Sequence, residues 1–307
     1  MRHIPVLLNE VIELLKPEAN QNFVDCTLGD GGHSEAMLER TAPAGKLLGI
    51  DADPESLLRA KQYLYRFEER TRFVRDNFVN LEKILKAEQF GPVNKILIDL
   101  GWSSPQFAER GRGFSFDPPA GGDEPLDMRY AGTQGGGETA AQIINTYSEG
   151  DLHTIFKTFG EEKLSREIAE AIVMARKAEP IERTSQLVEI ILSVYREKLH
   201  STKEVPWIGG LHPATKVFQA LRMAVNKELD VIKTVLPAAV AALAPGGRLA
   251  VIAFHSGEDR IVKHYFAEAA RKKMVTLVNK KPLVATEDEA KQNPRARSAK
   301  LRVVEKI

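Results

Sequence analysis

The sequence predicts an α/β fold: a mostly parallel sheet with helices on both faces, interrupted by an inserted all-helical domain. In the first hundred residues, short apolar runs rich in β-branched residues alternate with longer segments of helical periodicity, which is the pattern of a parallel sheet. Residues 106–137 are instead rich in Gly, Pro and charge, and residues 139–200 show helical patterns only. We therefore expect one domain from residues 1–105 and 211–307, and a second from 106–210.

The elements of the first domain follow in strict succession. The predicted strands are "NFVDCT" (22–27), "KLLGID" (46–51), "TRFVRD" (71–76) and "KILIDLG" (95–101). Helical spacing separates them at "HSEAMLERTA", "DPESLLRAKQYLYRFEE" and "NLEKILKAEQF". After the insertion, one long helical pattern covers residues 216–243 and is followed by the strand "RLAVIAFHS", the helix "RIVKHYFAEAARK" and the candidate closing strands "MVTLVNKKPLV" and "SAKLRVVEKI".

Composition narrows the class of protein. The 307 residues contain 43% hydrophobic residues, enough for one large core or two smaller ones, and no apolar stretch approaches the roughly 20 residues that span a bilayer. Acidic residues near the N-terminus and a single cysteine, Cys26, predict a cytoplasmic protein without disulfides. The net charge of +1 hides a run of five basic residues and no acid at 291–302, which is either solvated surface or a contact for a polyanion.

Three glycines stand where a nucleotide-binding loop would be. In "LGDGGHS", Gly29, Gly31 and Gly32 follow a predicted strand and begin a helix, where close backbone approach and free N–H groups favour a ligand. The third glycine of a G-x-G-x-x-G fingerprint would fall on Ser34, so the dinucleotide pattern is incomplete. A tight turn without a ligand is the alternative.

Acidic and aromatic residues follow the next two predicted strands. Asp51 ends the second strand about 20 residues after the glycines, where a carboxylate can accept hydrogen bonds from ribose hydroxyls. Asp53 precedes Pro54 and is better interpreted as a helix cap. After the third strand, Asp76 or Asn77 is a candidate partner for an adenine amino group, and Phe78 stacks on its ring or packs in the core.

The fourth strand ends in "ILIDLGWSSPQ". Asp99, Ser103, Ser104, Pro105 and Gln106 are thereby expected at the carboxyl edge of the sheet, where open α/β folds bind ligands. A nicotinamide-dependent oxidoreductase would also use this edge, but it needs a second mononucleotide half where this chain has an insertion. A methyltransferase that uses S-adenosylmethionine (SAM) agrees better with the pattern. A non-catalytic RNA-binding scaffold is a third alternative.

Nine segments together resemble the ribosomal RNA small subunit methyltransferase H family (RsmH, also called MraW), in order from His3 to the C-terminus: "HIPVLLNEV", "DCTLGDGGHS", "IDAD", "DLGWSSPQ", "RGFSF", "PLDMR", "HPATKVFQALRMAVNKEL", "LAPGGRLAVIAFHSGEDRIVK" and "NPRARSAKLR". The resemblance implies a Rossmann-like class I SAM-dependent methyltransferase fold with a helical insertion for substrate recognition. It implies methylation of the exocyclic N4 of a decoding-centre cytosine in 16S rRNA, within the small ribosomal subunit of a bacterium. The implied SAM contacts are Gly31, Gly32, His33, Asp51, Phe78, Asp99 and Gln106. Two positions depart from the family pattern, which has a small aliphatic residue where this chain has Trp102 and leucine where it has Gly257.

The chemistry of an amine nucleophile suggests further residues. Acceptors that bind the amino hydrogens would help, and the hydroxyls of Ser103 and Ser104, with the neighbouring Pro105 segment, are candidates. His255 is either a general base or a residue that packs and hydrogen-bonds locally. Cys26 is expected to be buried and inert, and the seven histidines show no metal-ligand spacing, so we expect no metal.

The target base must leave its stack to reach such a pocket, which implies contacts with RNA. Candidates are Arg110, Arg112, Arg129, Arg295 and Arg297. For each arginine, solvation and ion pairs within the protein are the alternative. The sequence does not decide between a monomer and a homodimer.

Overall fold

The computed structural model describes residues 4–101, 111–115, 123–130, 136–200, 205, 207 and 210–307. The chain divides into two units: Met1–Trp102 with Leu229–Ile307, and Ser103–Glu228. The second boundary therefore lies after Glu228, whereas the sequence predicts it after residue 210.

The first unit contains a mostly parallel sheet, as the sequence predicts. Within the described residues its strands are β1 (Phe23–Asp25), β2 (Leu47–Asp51), β3 (Thr71–Arg75), β4 (Val93–Asp99), β5 (Leu243–Ala253), β6 (Val275–Leu277), β7 (Leu283–Val284) and β8 (Lys300–Lys306). Their order is β3-β2-β1-β4-β5-β8-β6, with β7 paired to β8. Strands β1 to β5 run parallel, and β8 is antiparallel to β5, β6 and β7. The strand order reverses between β1 and β4, so ligand binding is expected beyond their carboxyl ends.

The helices, in chain order and within the described residues, are α1 (Leu8–Leu15), α2 (Gly32–Arg40), α3 (Pro54–Tyr63), α4 (Leu81–Ala87), α5 (Ala140–Thr146), α6 (Glu149–Thr158), α7 (Ser165–Ala175), α8 (Thr184–Lys198), α9 (Thr215–Val225), α10 (Glu228–Ala242), α11 (Ser256–Arg271) and α12 (Glu287–Gln292). Short 3-10 helices occur at Tyr65–Arg70, Phe78–Asn80 and Pro294–Ser298. Across these described stretches, no helix has both the length and the apolar character needed to cross a membrane.

Helices cover both faces of the sheet because successive strand residues point to opposite sides. Val24 and Ile50 pack on one face with buried residues of α4, α10 and α11. Phe23 and Leu47 pack on the other face with α1, α2 and α3. Burial on both faces is the reason these strands are continuous apolar runs in the sequence.

The sequence predicts one long helix over residues 216–243, and this prediction is wrong. The segment forms two helices, α9 and α10. Asn226 interrupts it: its Nδ2 donates to the Met128 carbonyl and its Oδ1 accepts the Tyr130 N–H. Lys227 then adopts a left-handed φ of 49°. The apolar spacing continues across the break, so periodicity alone could not reveal it.

The second unit packs helices α5 to α9 around its own core. Val217, Phe218 and Leu221 of α9 are buried in that core. Because α9 buries its apolar face there, it belongs to the second unit, which moves the boundary past residue 210.

Candidate functional site

A glycine loop connects β1 to α2. Gly29 and Gly31 have φ of +53° and +74°, in the left-handed region that glycine enters without strain. A Cβ on Gly31 would lie 2.9 Å from Leu64 Cδ1, and one on Gly32 would lie 2.4 Å from Pro5 Cγ. The path of the loop therefore requires glycine at these positions, and it follows a strand and begins a helix as the sequence predicts.

Asp51 ties the glycine loop to the turn that follows β2. Its Oδ2 accepts the Gly29 N–H at 2.9 Å, and its Oδ1 accepts the Asp53 N–H at 2.9 Å. Burial raises the pKa of Asp51 to about 6, against these two hydrogen bonds, which lower it. Each carboxylate oxygen has a second lone pair that can accept a hydrogen bond from a ligand.

Asp53 caps α3, in agreement with its interpretation from the sequence. Its carboxylate accepts the N–H groups of Glu55 and Ser56 at 3.3 and 2.9 Å, and the Ser56 hydroxyl at 2.6 Å. These bonds satisfy donors at the start of the helix, and they engage both carboxylate oxygens of Asp53.

Asp53→Ala is therefore expected to lower the free energy of unfolding by about 1 kcal/mol, the usual value of such a cap. The Kd for SAM, the cofactor that the sequence resemblance implies, should stay within about twofold, because the variant keeps the backbone N–H that Asp51 accepts. Thermal denaturation and calorimetric titration measure the two quantities. A large loss of SAM affinity with unchanged stability would contradict the capping role.

Asp99 ends β4 at the same edge. Its backbone N–H donates to Thr27 Oγ1 at 2.7 Å, and its Oδ1 accepts the Gly101 N–H at 2.9 Å. Burial raises the pKa of Asp99 to about 6; the Gly101 bond opposes this rise, and the nearby charge of Glu258 adds to it.

Asp25, at the end of β1, lies near the acids of the candidate site and was not identified by the sequence reasoning. Its Oδ1 accepts the Thr27 N–H at 3.1 Å, and its Oδ2 accepts the Ser34 hydroxyl at 2.7 Å. The carboxyl is buried, and burial is the largest cause of its raised pKa. An acid at the carboxyl end of a buried strand, directly before the glycine loop, was the pattern that could have identified it.

His33 lies in the first turn of α2 and is buried. Its Nε2 lies 2.9 Å from the Val6 carbonyl oxygen, which can only accept, so Nε2 carries the hydrogen. Burial lowers the pKa of His33, which favours the neutral ring. Its Nδ1 then faces Asp99 Oδ2 at 3.9 Å, so two acceptors stand close together and suit a donor placed between them.

Phe78 begins the 3-10 helix after β3 and is buried in the hydrophobic core of the first unit. Asn77 Oδ1 accepts the Val79 N–H at 2.9 Å, and Asp76 Oδ1 accepts the Asn77 N–H at 2.6 Å and Asn80 Nδ2 at 2.9 Å. The burial supports core packing of Phe78, and the local bonds occupy one oxygen each of Asp76 and Asn77.

His255 is the N-cap of α11. Its Nδ1 accepts the N–H groups of Gly257 and Glu258 at 3.2 and 3.4 Å, and Glu258 Oε2 in return accepts the N–H groups of Phe254 and His255. Because Nδ1 is an acceptor here, Nε2 carries the hydrogen of a neutral ring, and it lies 3.2 Å from Glu258 Oε1. The geometry therefore supports the local hydrogen-bonding alternative over a general base.

Cys26 is buried, and burial raises the pKa of its thiol well above the usual value. A thiol held protonated is a poor nucleophile, so the structure agrees with an inert residue.

The candidate RNA contacts differ in how they are engaged. In the second unit, Arg129 forms two side-chain bonds with Asp127 at 2.8 and 2.6 Å, and Arg112 Nη1 donates to the carbonyls of Arg129 and Tyr130. For both arginines, these contacts support the alternative in which the side chain forms bonds within the protein instead of contacting RNA. In the first unit, Arg297 is exposed, and Arg295 is half-buried with its pKa lowered by burial. The predicted site residues Ser103, Ser104, Pro105, Gln106 and Arg110, with Trp102, lie outside the described residues.

Three carboxylates thus end β1, β2 and β4: Asp25, Asp51 and Asp99. They are close enough for the charge of Asp25 to raise the pKa of Asp51, and for that of Asp99 to raise the pKa of Asp25. Such a site favours a ligand that is cationic and carries hydroxyl donors, and it disfavours a phosphate.

The whole chain matches one family: the model described as the MraW methylase family aligns with residues 1–307. A Heliobacterium mobile protein named Ribosomal RNA small subunit methyltransferase H is 44% identical, over 99% of this chain and 99% of that protein. A protein of the same name from Trichlorobacter lovleyi is 42% identical, over 99% of this chain and 98% of that protein.

The solved structures that match this chain do so at much lower identity. An rRNA methylase from Streptococcus thermophilus is 11% identical with a TM-score of 0.45, over 100% of this chain and 99% of that chain. A Streptococcus mutans protein in complex with SAH is 10% identical with a TM-score of 0.46, over 99% of this chain and 100% of that chain.

Proposed function

This chain belongs to the MraW methylase family, and from that premise we propose that it methylates the exocyclic N4 of a decoding-centre cytosine in 16S rRNA. Its cofactor is SAM. The observation that carries the RNA substrate is the identity of 42–44% over 99% of the chain with proteins named Ribosomal RNA small subunit methyltransferase H. The choice of N4 rests on the sequence motifs that resemble that family. A ribosomal substrate would place the reaction in the cytoplasm.

The carboxylate-rich edge fits SAM, which carries a sulfonium, an ammonium group and two ribose hydroxyls and has no phosphate. Asp51 would accept the hydroxyls through the free lone pairs of its oxygens. His33 Nδ1 and Asp99 Oδ2, two acceptors 3.9 Å apart, would share the hydrogens of the ammonium group. The missing third glycine of the dinucleotide fingerprint agrees with a ligand that has no pyrophosphate to bind.

The remaining cofactor contacts are assigned by the same proposal. Gly31 and Gly32, which pack against Leu64 and Pro5, would keep the loop in the path that brings its backbone to the ligand. Phe78 would form part of the apolar wall from its buried position. Gln106 is the last of the proposed SAM contacts.

The reaction itself needs alignment more than acid or base strength. SAM supplies a methyl group on a positively charged sulfur, already activated for transfer. The cytosine amine is a weak nucleophile because its lone pair is delocalised into the ring. Hydrogen-bond acceptors on both amino hydrogens would draw the nitrogen toward tetrahedral geometry and bind the transition state better than the ground state. Ser103 and Ser104, beside Pro105, are proposed for this role.

Substrate contacts are proposed for both parts of the chain. The inserted helical domain would recognise the RNA, with Arg110 as its proposed contact, while Arg112 and Arg129 are engaged by bonds within the protein. Arg295 and Arg297 would contact phosphates from the basic segment before β8, and the exposure of Arg297 supports this. The flipped target base requires such contacts, since unstacking costs a few kcal/mol.

The test is to incubate the protein with methyl-labelled SAM and small ribosomal subunits that lack the modification, and then to map the labelled nucleotide. The proposal expects label on one cytosine of the 16S rRNA, at the exocyclic nitrogen. Label on a ring carbon, on protein or on DNA would contradict it. A parallel reaction with naked 16S rRNA shows whether the substrate is the free RNA or the assembled small subunit.

Ser104→Ala is expected to slow single-turnover methylation by about 10- to 100-fold, since it removes one hydrogen bond that acts in the transition state. The Kd for SAM should be unchanged, and calorimetric titration of the variant provides that control. An unchanged rate with intact SAM binding would remove Ser104 from the mechanism.

A further inference from the structure

The segment formed by residues 4–7, here called the strap, lies on the glycine loop. The Pro5 ring is packed so closely on Gly32 that a Cβ there would be 2.4 Å from Pro5 Cγ. The Val6 carbonyl accepts the hydrogen bond from His33 Nε2 at 2.9 Å. The strap therefore sets the orientation of the His33 ring, and with it the direction of Nδ1.

The other side of the strap is held by residues from the far end of the chain. Glu289 of α12 accepts the Leu7 N–H through Oε1 at 2.7 Å. Asn293, which follows α12, donates from Nδ2 to the Ile4 carbonyl at 3.2 Å. The strap is thus clamped between the glycine loop and the segment 289–293.

The strap contains a residue with a strained backbone conformation, so its position needs support from other contacts. Leu7 has φ 54° and ψ 36°, a left-handed conformation that costs a non-glycine residue roughly 1–2 kcal/mol. Its side chain is fully buried. Burial of the Leu7 side chain and the hydrogen bond from its N–H to Glu289 offset this cost.

Glu289 is also near the site itself. Its charge raises the pKa of His33, against the larger opposite effect of burial. A carboxylate that holds the strap and lies close to the imidazole can affect the site without contacting the ligand.

We propose that Glu289 is a positioning residue for the methyl-donor site, acting through the strap on His33 and Gly32. This inference rests on the proposed assignment of His33 and Gly32 to the SAM site. Without the acceptor at Glu289, the strap leaves the loop for part of the time. The measured Kd then rises, because only the strapped fraction of the protein binds the donor.

The test compares three variants on the same helix by calorimetric titration with SAM. Glu289→Ala is expected to raise the Kd about tenfold, as the loss of one hydrogen bond to a charged group would. Glu289→Gln keeps an acceptor oxygen and should rescue the affinity to within about threefold of wild type. Glu287→Ala, an exposed neighbour on α12, is the matched control and should bind as wild type does.

Two further readouts separate positioning from general stability. At saturating SAM the kcat of Glu289→Ala should stay near the wild-type value, so that the loss appears in the KM for SAM. Hydrogen exchange should accelerate at residues 4–7 and 29–34 and remain unchanged in β4. If Glu289→Ala does not fold, Asn293→Ala removes the other bond of the clamp and carries the same expectation.

The outcomes distinguish this proposal from the donor assignment. If the wild-type protein does not bind SAM, the donor site is wrong and the strap has no role in it. If the wild type binds SAM and Glu289→Ala binds equally well, only the positioning role fails. It also fails if Glu289→Gln is as impaired as Glu289→Ala, because the acceptor would then not be what matters.

Discussion

Replacement of Asp51 by alanine is expected to raise the Kd for SAM by at least about a hundredfold, equivalent to the loss of two charge-assisted hydrogen bonds of about 1.5 kcal/mol each. The carboxylate has two functions: it would accept the ribose hydroxyls, and it holds the N–H groups of Gly29 and Asp53. The alanine variant loses both, so the glycine loop also loses its side-chain hydrogen bond to the end of β2. Calorimetric titration measures the effect.

Two controls make this result interpretable. Asp51→Asn keeps one acceptor oxygen but turns an amide N–H₂ toward a backbone donor, so an intermediate loss of about tenfold is expected. Asp53→Ala changes the adjacent acid and should affect stability only. Wild-type affinity in Asp51→Ala, with thermal denaturation showing a folded protein, would mean that the ribose lies elsewhere.

The affinity for SAM is expected to fall about a hundredfold between pH 7.5 and pH 5. Asp51 and Asp99 each have a pKa raised to about 6 by burial. Below that pH each becomes neutral and no longer attracts the cationic donor. At pH 5 about a tenth of each carboxyl is ionised, which gives two factors of about ten if binding needs both charges. Titration of SAM binding in buffers across this range measures the slope.

Protonation of Asp51 and Asp99 does not by itself destabilise the fold, so a loss of SAM affinity caused by these two groups is separate from unfolding. Both carboxyls bind a proton more tightly in the folded protein, with a pKa near 6, than in the unfolded chain, with 3.8. A raised folded-state pKa means that these two groups favour the fold more as pH falls through that window.

Asp99→Asn supplies the matched control. It removes one of the two titrating groups, so the loss of affinity between pH 7.5 and pH 5 should shrink to about tenfold. A variant with the full wild-type pH dependence would show that Asp99 does not contact the cation.

Much of the fold follows from local sequence features. The strands β1 to β4 and the starts of the helices between them were predicted within a few residues, because buried parallel strands and amphipathic helices depend on near neighbours. The helical pattern predicted over residues 53–69 runs past the end of α3 at Tyr63, where a 3-10 helix follows. The break between α9 and α10 at Asn226 was not predicted, because its cause is two hydrogen bonds to residues 128 and 130, almost a hundred positions away.

The candidate site divides in the same way. The glycine loop and the acids Asp51 and Asp99 stand out in the chain because parallel strands bring their carboxyl ends to one edge, so order alone predicts their neighbourhood. The capping role of Asp53 was also visible, since it depends on the next three residues. Asp25 is equally local, and its place before the glycines could have identified it.

Tertiary structure decided the state of these groups and the support behind them. The raised pKa values of the acids come from burial in the folded chain, and the tautomer of His33 comes from the Val6 carbonyl, 27 positions earlier. The bond from Leu7 to Glu289 spans 282 positions. Sequence periodicity reports which face of an element is apolar, but a single hydrogen bond between distant residues leaves no periodic trace. The position of the strap could therefore be learned only from the folded chain.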